Sequence, residues 1–144
     1  QGVYMTRWTL WGSSFTGTGG AVFLHCIRQS DGDGALHDHP WGFVSLIVRG
    51  GYREQTERGR RWYGPGRLLK RPAAYRHRVE LHEGSPCWTL VFRGRRVRSW
   101  SFFCLDAFGG RTGKAVPWRS FLDQMEAGAL GCGPDETIPA EGAR

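Results

Sequence analysis

The feature that most constrains the fold of this chain is the repeated interruption of short apolar runs by glycine-rich turns. Strand-like segments are bounded by turns such as Gly50-Gly51 and Gly64-Pro65-Gly66. This pattern is typical of an all-β sandwich or barrel. Strands are predicted over residues 21–29, 42–49, 52–57, 61–63, 67–71, 77–81, 88–92 and 100–105. The segments 42–49 and 52–57 are predicted to pair as a hairpin.

One helix and one domain are predicted. Residues 118–126 place Trp118, Phe121, Leu122 and Met125 on one apolar helical face, after Pro117. The length of 144 residues fits a single domain. We assign it to residues 1–130, with an N-terminal arm and loop at 1–20, and expect a flexible C-terminal tail at 131–144.

Charge and apolar content narrow the classes of partner. The net charge is +7, from 18 arginines, 2 lysines and 13 acidic residues, but the arginines are scattered, so nucleic-acid binding is allowed without being favoured. No apolar run reaches the ~20 residues of a membrane span, and no signal peptide is visible. We therefore expect no membrane association and a cytoplasmic location.

Cys26 and Cys104 lie in strand-like runs and are expected to be buried free thiols.

The histidines carry the strongest chemical signal. His37 and His39 flank Asp38 at the start of an apolar strand. In an extended segment, residues i and i+2 point the same way, so two imidazoles would enter one space. A third ligand must come from another strand, and His77 is the best candidate. The three side chains predict a site for one divalent metal ion.

Two glycine-spaced motifs surround these histidines. The first consists of His37, His39 and then Gly50. The second has Gly66, Pro72 and His77, with Ala74 standing where a glycine is usual in the pattern that these residues resemble. That pattern is the pair of motifs of the cupins. The resemblance covers residues 36–92, and His37–Trp41 (HDHPW) looks like small cupins of bacteria and their phages.

The resemblance implies an all-β cupin barrel, a double-stranded β-helix or jelly roll, with the single helix near the C-terminus. The acidic ligand of the first motif would fall at Phe43 or Val44, and neither can bind metal. The remaining set of three histidines resembles cysteine dioxygenase-like cupins. It implies ferrous iron as the cofactor, with zinc, nickel or manganese as alternatives.

Further residues are assigned to the same site. Tyr75 shares a strand face with His77 and is predicted to be a catalytic proton donor. Alternation along its strand is expected to place the Arg49 side chain on the inward face. There it is predicted to bind an anionic group of the substrate. The predicted aromatic lining of the substrate pocket consists of Trp41, Phe43, Trp88 and Phe92.

These residues leave several functions open. The first is a non-haem iron dioxygenase acting on a small polar or anionic molecule. The alternatives are a non-redox metal-dependent isomerase or lyase, and a cupin that binds a ligand without catalysis. The partner in each case is a small molecule, and the chain could also form a homodimer.

Overall fold

The computed structural model describes residues 2–12, 17–31, 35–82, 84–105 and 111–126. These residues form eleven strands and one helix. The elements are β1 (Met5–Gly12), β2 (Ala21–Ile27), β3 (Leu36–His37), β4 (Phe43–Arg49), β5 (Tyr52–Thr56), β6 (Gly59–Tyr63), β7 (Leu68–Arg71), β8 (Arg78–Leu81), β9 (Cys87–Arg93), β10 (Ser101–Leu105), β11 (Arg111–Pro117) and α1 (Trp118–Glu126).

The strands form one large sheet and two small ones. The large sheet has the order β1-β2-β9-β4-β7, and the small sheets have the orders β11-β10-β3 and β6-β5-β8, all with antiparallel pairs. His37 and His77 exchange backbone hydrogen bonds of 2.9 and 3.0 Å, which join β3 to the start of β8. This bridge links the two small sheets at the pair of histidines.

The large sheet turns its odd-numbered residues towards the interior. Phe23, Ser45, Thr89 and Val91 are buried and face a central cavity. Because side chains alternate along a strand, the even-numbered residues lie on the opposite face of the same sheet. The core continues beyond the cavity in a cluster formed by Ile27, Ile47, Tyr52, Leu69, Val79 and Cys87.

Helix α1 begins and ends where the sequence predicts. Its buried residue Phe121 stacks on Phe102 of β10, with ring centroids 3.9 Å apart. Trp118 stacks on Trp100 at 5.7 Å. The apolar face of the helix therefore packs beside β10 and β11 at one end of the cavity.

Three expectations from the sequence are wrong. Strands β4 and β5 do not form a hairpin, because β4 pairs with β7 and β9 on its two edges while β5 pairs with β6 and β8. The region 1–20 is not only an arm and loop, since β1 pairs with β2 along most of its length. Cys104 is disulfide-bonded rather than a free thiol, whereas Cys26 and Cys87 are buried and free.

Two further expectations concern the ends of the chain and its surroundings. The tail predicted at 131–144 lies outside the described residues. Within the described part of the chain, the one helix is too short and too polar to cross a membrane.

Candidate metal centre

Backbone pairing fixes two histidines side by side. His37 ends β3, where it pairs with Phe102 of β10 and with His77. His39 follows in extended chain, and its backbone N–H donates to the carbonyl of Ala73 at 2.9 Å. The local sequence His37-Asp38-His39 thus places both imidazoles on the side that faces His77, as the period of an extended chain requires.

The three imidazoles converge. Among the described residues, His37, His39 and His77 form one group whose ligand atoms all lie within 4.8 Å of one another. The Nε2 atoms of His39 and His77 are 2.8 Å apart. Two nitrogens bound at right angles to one ion at ~2.1 Å would be about 3.0 Å apart, so this spacing fits a shared metal ion. The group could hold a divalent metal.

The environment keeps the imidazoles in the form that binds metal. Burial, and then the electrostatic effect of the neighbouring His77 side chain, lower the pKa of His37 to about 4. Burial also lowers the pKa of His39 well below its ordinary value, with further contributions from His77 and His37. Both rings are therefore neutral near pH 7, and each has one nitrogen lone pair available to an ion.

A buried carboxylate orients the third histidine. Glu54 of β5 is 2% exposed, and its Oε1 accepts a hydrogen bond from Nδ1 of His77 at 2.7 Å. Because a carboxylate only accepts, the proton lies on Nδ1, and Nε2 keeps its lone pair towards the cluster. Carboxylate–histidine pairs of this kind fix the tautomer and ring angle of metal ligands.

Glu54 is itself held by two other side chains. Arg71 donates from Nη2 to Oε2 at 2.6 Å and from Nε to Oε1 at 3.2 Å, and the Tyr75 hydroxyl donates to Oε2 at 2.9 Å. Burial alone would raise the pKa of Glu54, but the hydrogen bonds from His77 and Arg71 lower it to about 2. The group is a charged carboxylate behind His77, and no local sequence pattern indicates it.

Two buried aspartates support the other side of the cluster. Asp31 lies with Oδ2 3.8 Å from Nδ1 of His37, and it accepts hydrogen bonds from the backbone of Val79 and from the Tyr4 hydroxyl. Asp38 is fully buried, where its Oδ1 accepts from the backbone N–H of Ser101 at 2.8 Å. Asp38 therefore ties the histidine segment to β10.

The cluster opens into a cavity of about 440 Å³ between the sheets. Its walls are mainly aromatic and aliphatic, and they include Phe23, Trp41, Phe43, Val91, Trp100 and Phe102. Clefts of this size and composition are typical sites for small ligands.

A cation also lies on this cavity wall. Arg7 of β1 donates from Nε to Nε2 of His25 at 2.9 Å, and both residues line the cavity. Burial, and then the charge of Arg7, lower the pKa of His25 to about 3, so this histidine is neutral. Arg7 therefore brings a positively charged side chain to the wall of a largely apolar chamber, where a guanidinium can bind an anion.

The structure brings some of the predicted site residues together and separates others. Trp41 and Phe43 line the cavity beside the three histidines. Trp88 and Phe92 are even-numbered residues of β9, so they lie on the opposite face, where Trp88 stacks on Trp8. Arg49 is exposed, because the register of β4 against β9 shifts between Ile47 and Arg49 and breaks the alternation. The predicted substrate contacts of these three residues are not supported by their positions.

Alternation along the strand predicts that Tyr75 faces the cavity together with His77, but the structure places its side chain elsewhere. Its hydroxyl contacts Glu54, and the residue lies outside the cavity lining formed by the described residues. Burial, and then Glu54, raise the pKa of Tyr75 to about 12. This tyrosine is placed to hold the carboxylate that orients His77.

We therefore expect Tyr75→Phe to act on stability rather than on chemistry. Losing one hydrogen bond to a charged group should lower the free energy of unfolding by about 1–2 kcal/mol and change metal affinity by less than ~10-fold. Urea unfolding and a metal titration measure the two effects. A loss of turnover of roughly 10²–10⁴-fold with unchanged stability and metal affinity would instead identify a proton donor.

No family model and no curated protein matches the sequence. Solved structures do match. A candidate mannose-6-phosphate isomerase from Ralstonia eutropha JMP134 has a TM-score of 0.54 and 22% identity, over 63% of this chain and 84% of that one. The polyketide cyclase RemF from Streptomyces resistomycificus has a TM-score of 0.53 and 17% identity, over 66% and 72%. A cupin_2 domain of an XRE family transcriptional regulator from Enterobacter cloacae has a TM-score of 0.51 and 10% identity, over 66% and 100%.

These similarities define the class of the fold. The chain has the all-β barrel fold of the cupins, as the sequence predicts, with one short helix among the described residues. The barrel carries a group of three histidines that could hold a divalent metal. At these identities the similar structures establish the fold and leave the reaction to be argued from the site itself.

Proposed function

We propose that this chain is a metal-dependent enzyme that converts a small anionic molecule inside the barrel, and that it does so as a non-haem iron dioxygenase. The observation that carries the proposal is the convergence of His37, His39 and His77 at the wall of the cavity. The buried Glu54 supports it, because a structural histidine cluster has no need of a charged carboxylate aimed at one ring.

Ferrous iron is the ion we propose, because the set of three histidines resembles that of cysteine dioxygenase-like cupins. Three neutral imidazoles leave the 2+ charge of the ion uncompensated, and the described residues add no carboxylate to the group. Imidazole also suits zinc and nickel, and manganese remains an alternative. A ferrous ion bound here would activate dioxygen for reaction with the substrate, and the substrate would supply the electrons that reduce the oxygen.

The residues of the chain would perform the binding steps. The three imidazoles hold the ion, Glu54 fixes the ring of His77, and the aromatic walls exclude water from the cavity. Arg7 would attract the anionic group of the substrate and orient the molecule between itself and the histidines. This arrangement supports a carboxylate or similar anion as the substrate class.

Asp31 favours a second candidate function. Its carboxylate lines the cavity close to His37 and accepts a hydrogen bond from the Tyr4 hydroxyl. A carboxylate in this position could accept a proton from a bound molecule while the ion acts only as a Lewis acid. Isomerisation or elimination without redox chemistry would follow.

Oxygen consumption separates the two functions. Protein loaded anaerobically with ferrous iron should consume oxygen with at least one member of a panel of small carboxylates, thiols and 1,3-diketones, and zinc-loaded protein should consume none. Conversion of substrate by both forms without oxygen uptake would favour Lewis-acid chemistry. Binding of a panel compound without its conversion by either metal-loaded form would indicate a cupin that binds a ligand without catalysis.

Arg7→Gln tests the substrate class in the same assay. Wild-type protein should prefer a carboxylate to its methyl ester, because only the acid carries the charge that Arg7 attracts. The variant should lose about 10–100-fold in kcat/KM for the acid and change little for the ester. Equal losses for acid and ester would indicate a structural role for Arg7.

A further inference from the structure

Two hydroxyl groups on the large-sheet wall of the cavity lack a hydrogen-bond partner among the described residues. They belong to Ser45 of β4, which is 4% exposed, and to Thr89 of β9, which is 2% exposed, and both residues line the cavity. Burying a hydroxyl group without a hydrogen bond costs free energy. Both groups therefore need something inside the cavity to bond to.

Strand register places these hydroxyls in a polar row that starts at the cation. Arg7 pairs with His25, and His25 pairs with Thr89, so the three residues lie side by side across β1, β2 and β9. Ser45 is diagonal to Thr89 on the neighbouring strand β4, at a Cβ separation of about 7 Å. These four residues are named the polar strip.

The polar strip leads towards the metal centre. Phe43 precedes Ser45 by two residues on the same face of β4. The centroid of its ring lies 4.8 Å from that of His39 and 6.3 Å from that of His77. A molecule lying along the strip therefore has the guanidinium of Arg7 at one end and the histidine group at the other.

We propose that Ser45 and Thr89 form a subsite for hydroxyl groups of the substrate, which is a hydroxylated chain acid. Its carboxylate lies at Arg7, its hydroxyl groups bond to Thr89 and Ser45, and its reacting end lies at the histidines. A hydroxyl group both donates and accepts, so it satisfies a serine or a threonine without adding charge. The inference rests on the proposed function, because it takes this cavity as the substrate site.

Charge favours a hydroxyl group over a second ionised group at this subsite. An anion there would need a second cation. Arg93, on the same face of β9, donates to the carbonyls of Gly17 and Gly19 and lies outside the cavity lining formed by the described residues. A cation at the subsite would be repelled by Arg7 and by a bound divalent ion. A neutral group that forms hydrogen bonds meets neither penalty.

Binding of matched acids to zinc-loaded protein tests the proposal without requiring turnover. Isothermal titration calorimetry compares hexanoate with its 3-, 5- and 6-hydroxy derivatives. At least one hydroxylated acid should bind about 3–10-fold more tightly than hexanoate, which is the effect of one neutral hydrogen bond. The double variant Ser45→Ala/Thr89→Val should reduce this preference to less than ~2-fold and leave the affinity for hexanoate unchanged. The single variants show which hydroxyl is used.

Thr9→Val is the matched control. Thr9 is exposed on β1 and lies outside the cavity lining, so this variant should keep the wild-type preference. The methyl esters of the same acids repeat the comparison without the carboxylate, and they report the hydroxyl preference even if the anionic substrate class is wrong. Thr89→Val should unfold at the same or a higher temperature than the wild-type protein, because it removes a hydroxyl group that the fold leaves without a partner.

Two results would overturn the proposal. Equal affinities of the wild-type protein for hydroxylated and unhydroxylated compounds, in both the acid and the ester series, would mean that the two hydroxyls bond only to water in the cavity. A preference that survives the double variant would mean that other groups recognise the hydroxylated compound. A hydroxyl preference that depends on Ser45 or Thr89 in a protein without turnover would support the subsite and count against the dioxygenase alone.

Discussion

His39→Ala is expected to lower the affinity of the protein for a divalent ion by about 100- to 1,000-fold. Structural sites with four protein ligands bind zinc with roughly 10–16 kcal/mol, or about 2.5–4 kcal/mol for each ligand. Each 1.4 kcal/mol is a factor of ten, so losing one ligand of three has an effect of this size. Competition with a coloured chelator measures the affinity, and metal analysis of purified protein measures retention.

His82→Ala is the control for this loss. His82 is exposed and follows β8, outside the cavity lining, so its removal should leave metal affinity unchanged. If both alanine variants bind metal as tightly as the wild-type protein, the ion is held elsewhere. If the two variants lose affinity equally, histidine content rather than the cluster determines binding.

Glu54→Gln is expected to weaken metal binding by about 10–100-fold and to lower the free energy of unfolding by about 2–4 kcal/mol. The amide can still accept a hydrogen bond from Nδ1 of His77, but it no longer carries the charge that raises the basicity of that ring. Arg71, whose side chain is 14% exposed, would also lose the anion that balances it. Chelator competition and urea unfolding report the two effects separately.

Glu57→Gln is the matched comparison. Glu57 is two residues beyond Gln55 and forms a partly exposed ion pair with Arg76 at 3.1 Å. Its replacement removes the same charge but should change stability by less than ~1 kcal/mol and leave metal affinity unchanged. Equal metal affinities for the wild-type protein and Glu54→Gln would mean that Glu54 serves the fold alone.

The sequence predicts the three histidines because their signal is local. Alternation along an extended chain places His37 and His39 together, and the second motif supplies His77 from a neighbouring strand. Glu54 gave no such signal. It lies in the polar segment Tyr52–Thr56 and looks like a solvated residue until β8 and the Arg71 side chain cover it. Its burial depends on pairings between distant segments, which no local pattern contains.

Strand β9 shows why the pocket residues were predicted only in part. Large apolar residues lie on both of its faces, with Val91 towards the cavity and Trp88 and Phe92 on the opposite face of the sheet. Period-2 alternation identifies an inward face only when the other face is polar. The predicted hairpin of β4 and β5 failed for a related reason: Gly50-Gly51 indicates a turn but not which strands will occupy the edges of β4.

The central claim is that one divalent ion lies among His37, His39 and His77. Anomalous diffraction from crystals of protein loaded anaerobically with ferrous iron tests it most directly. We predict one strong anomalous peak at about 2.0–2.2 Å from a nitrogen of each of the three rings, next to the cavity. A peak bound by other residues, or no peak at the three histidines when the iron content is stoichiometric, would contradict it.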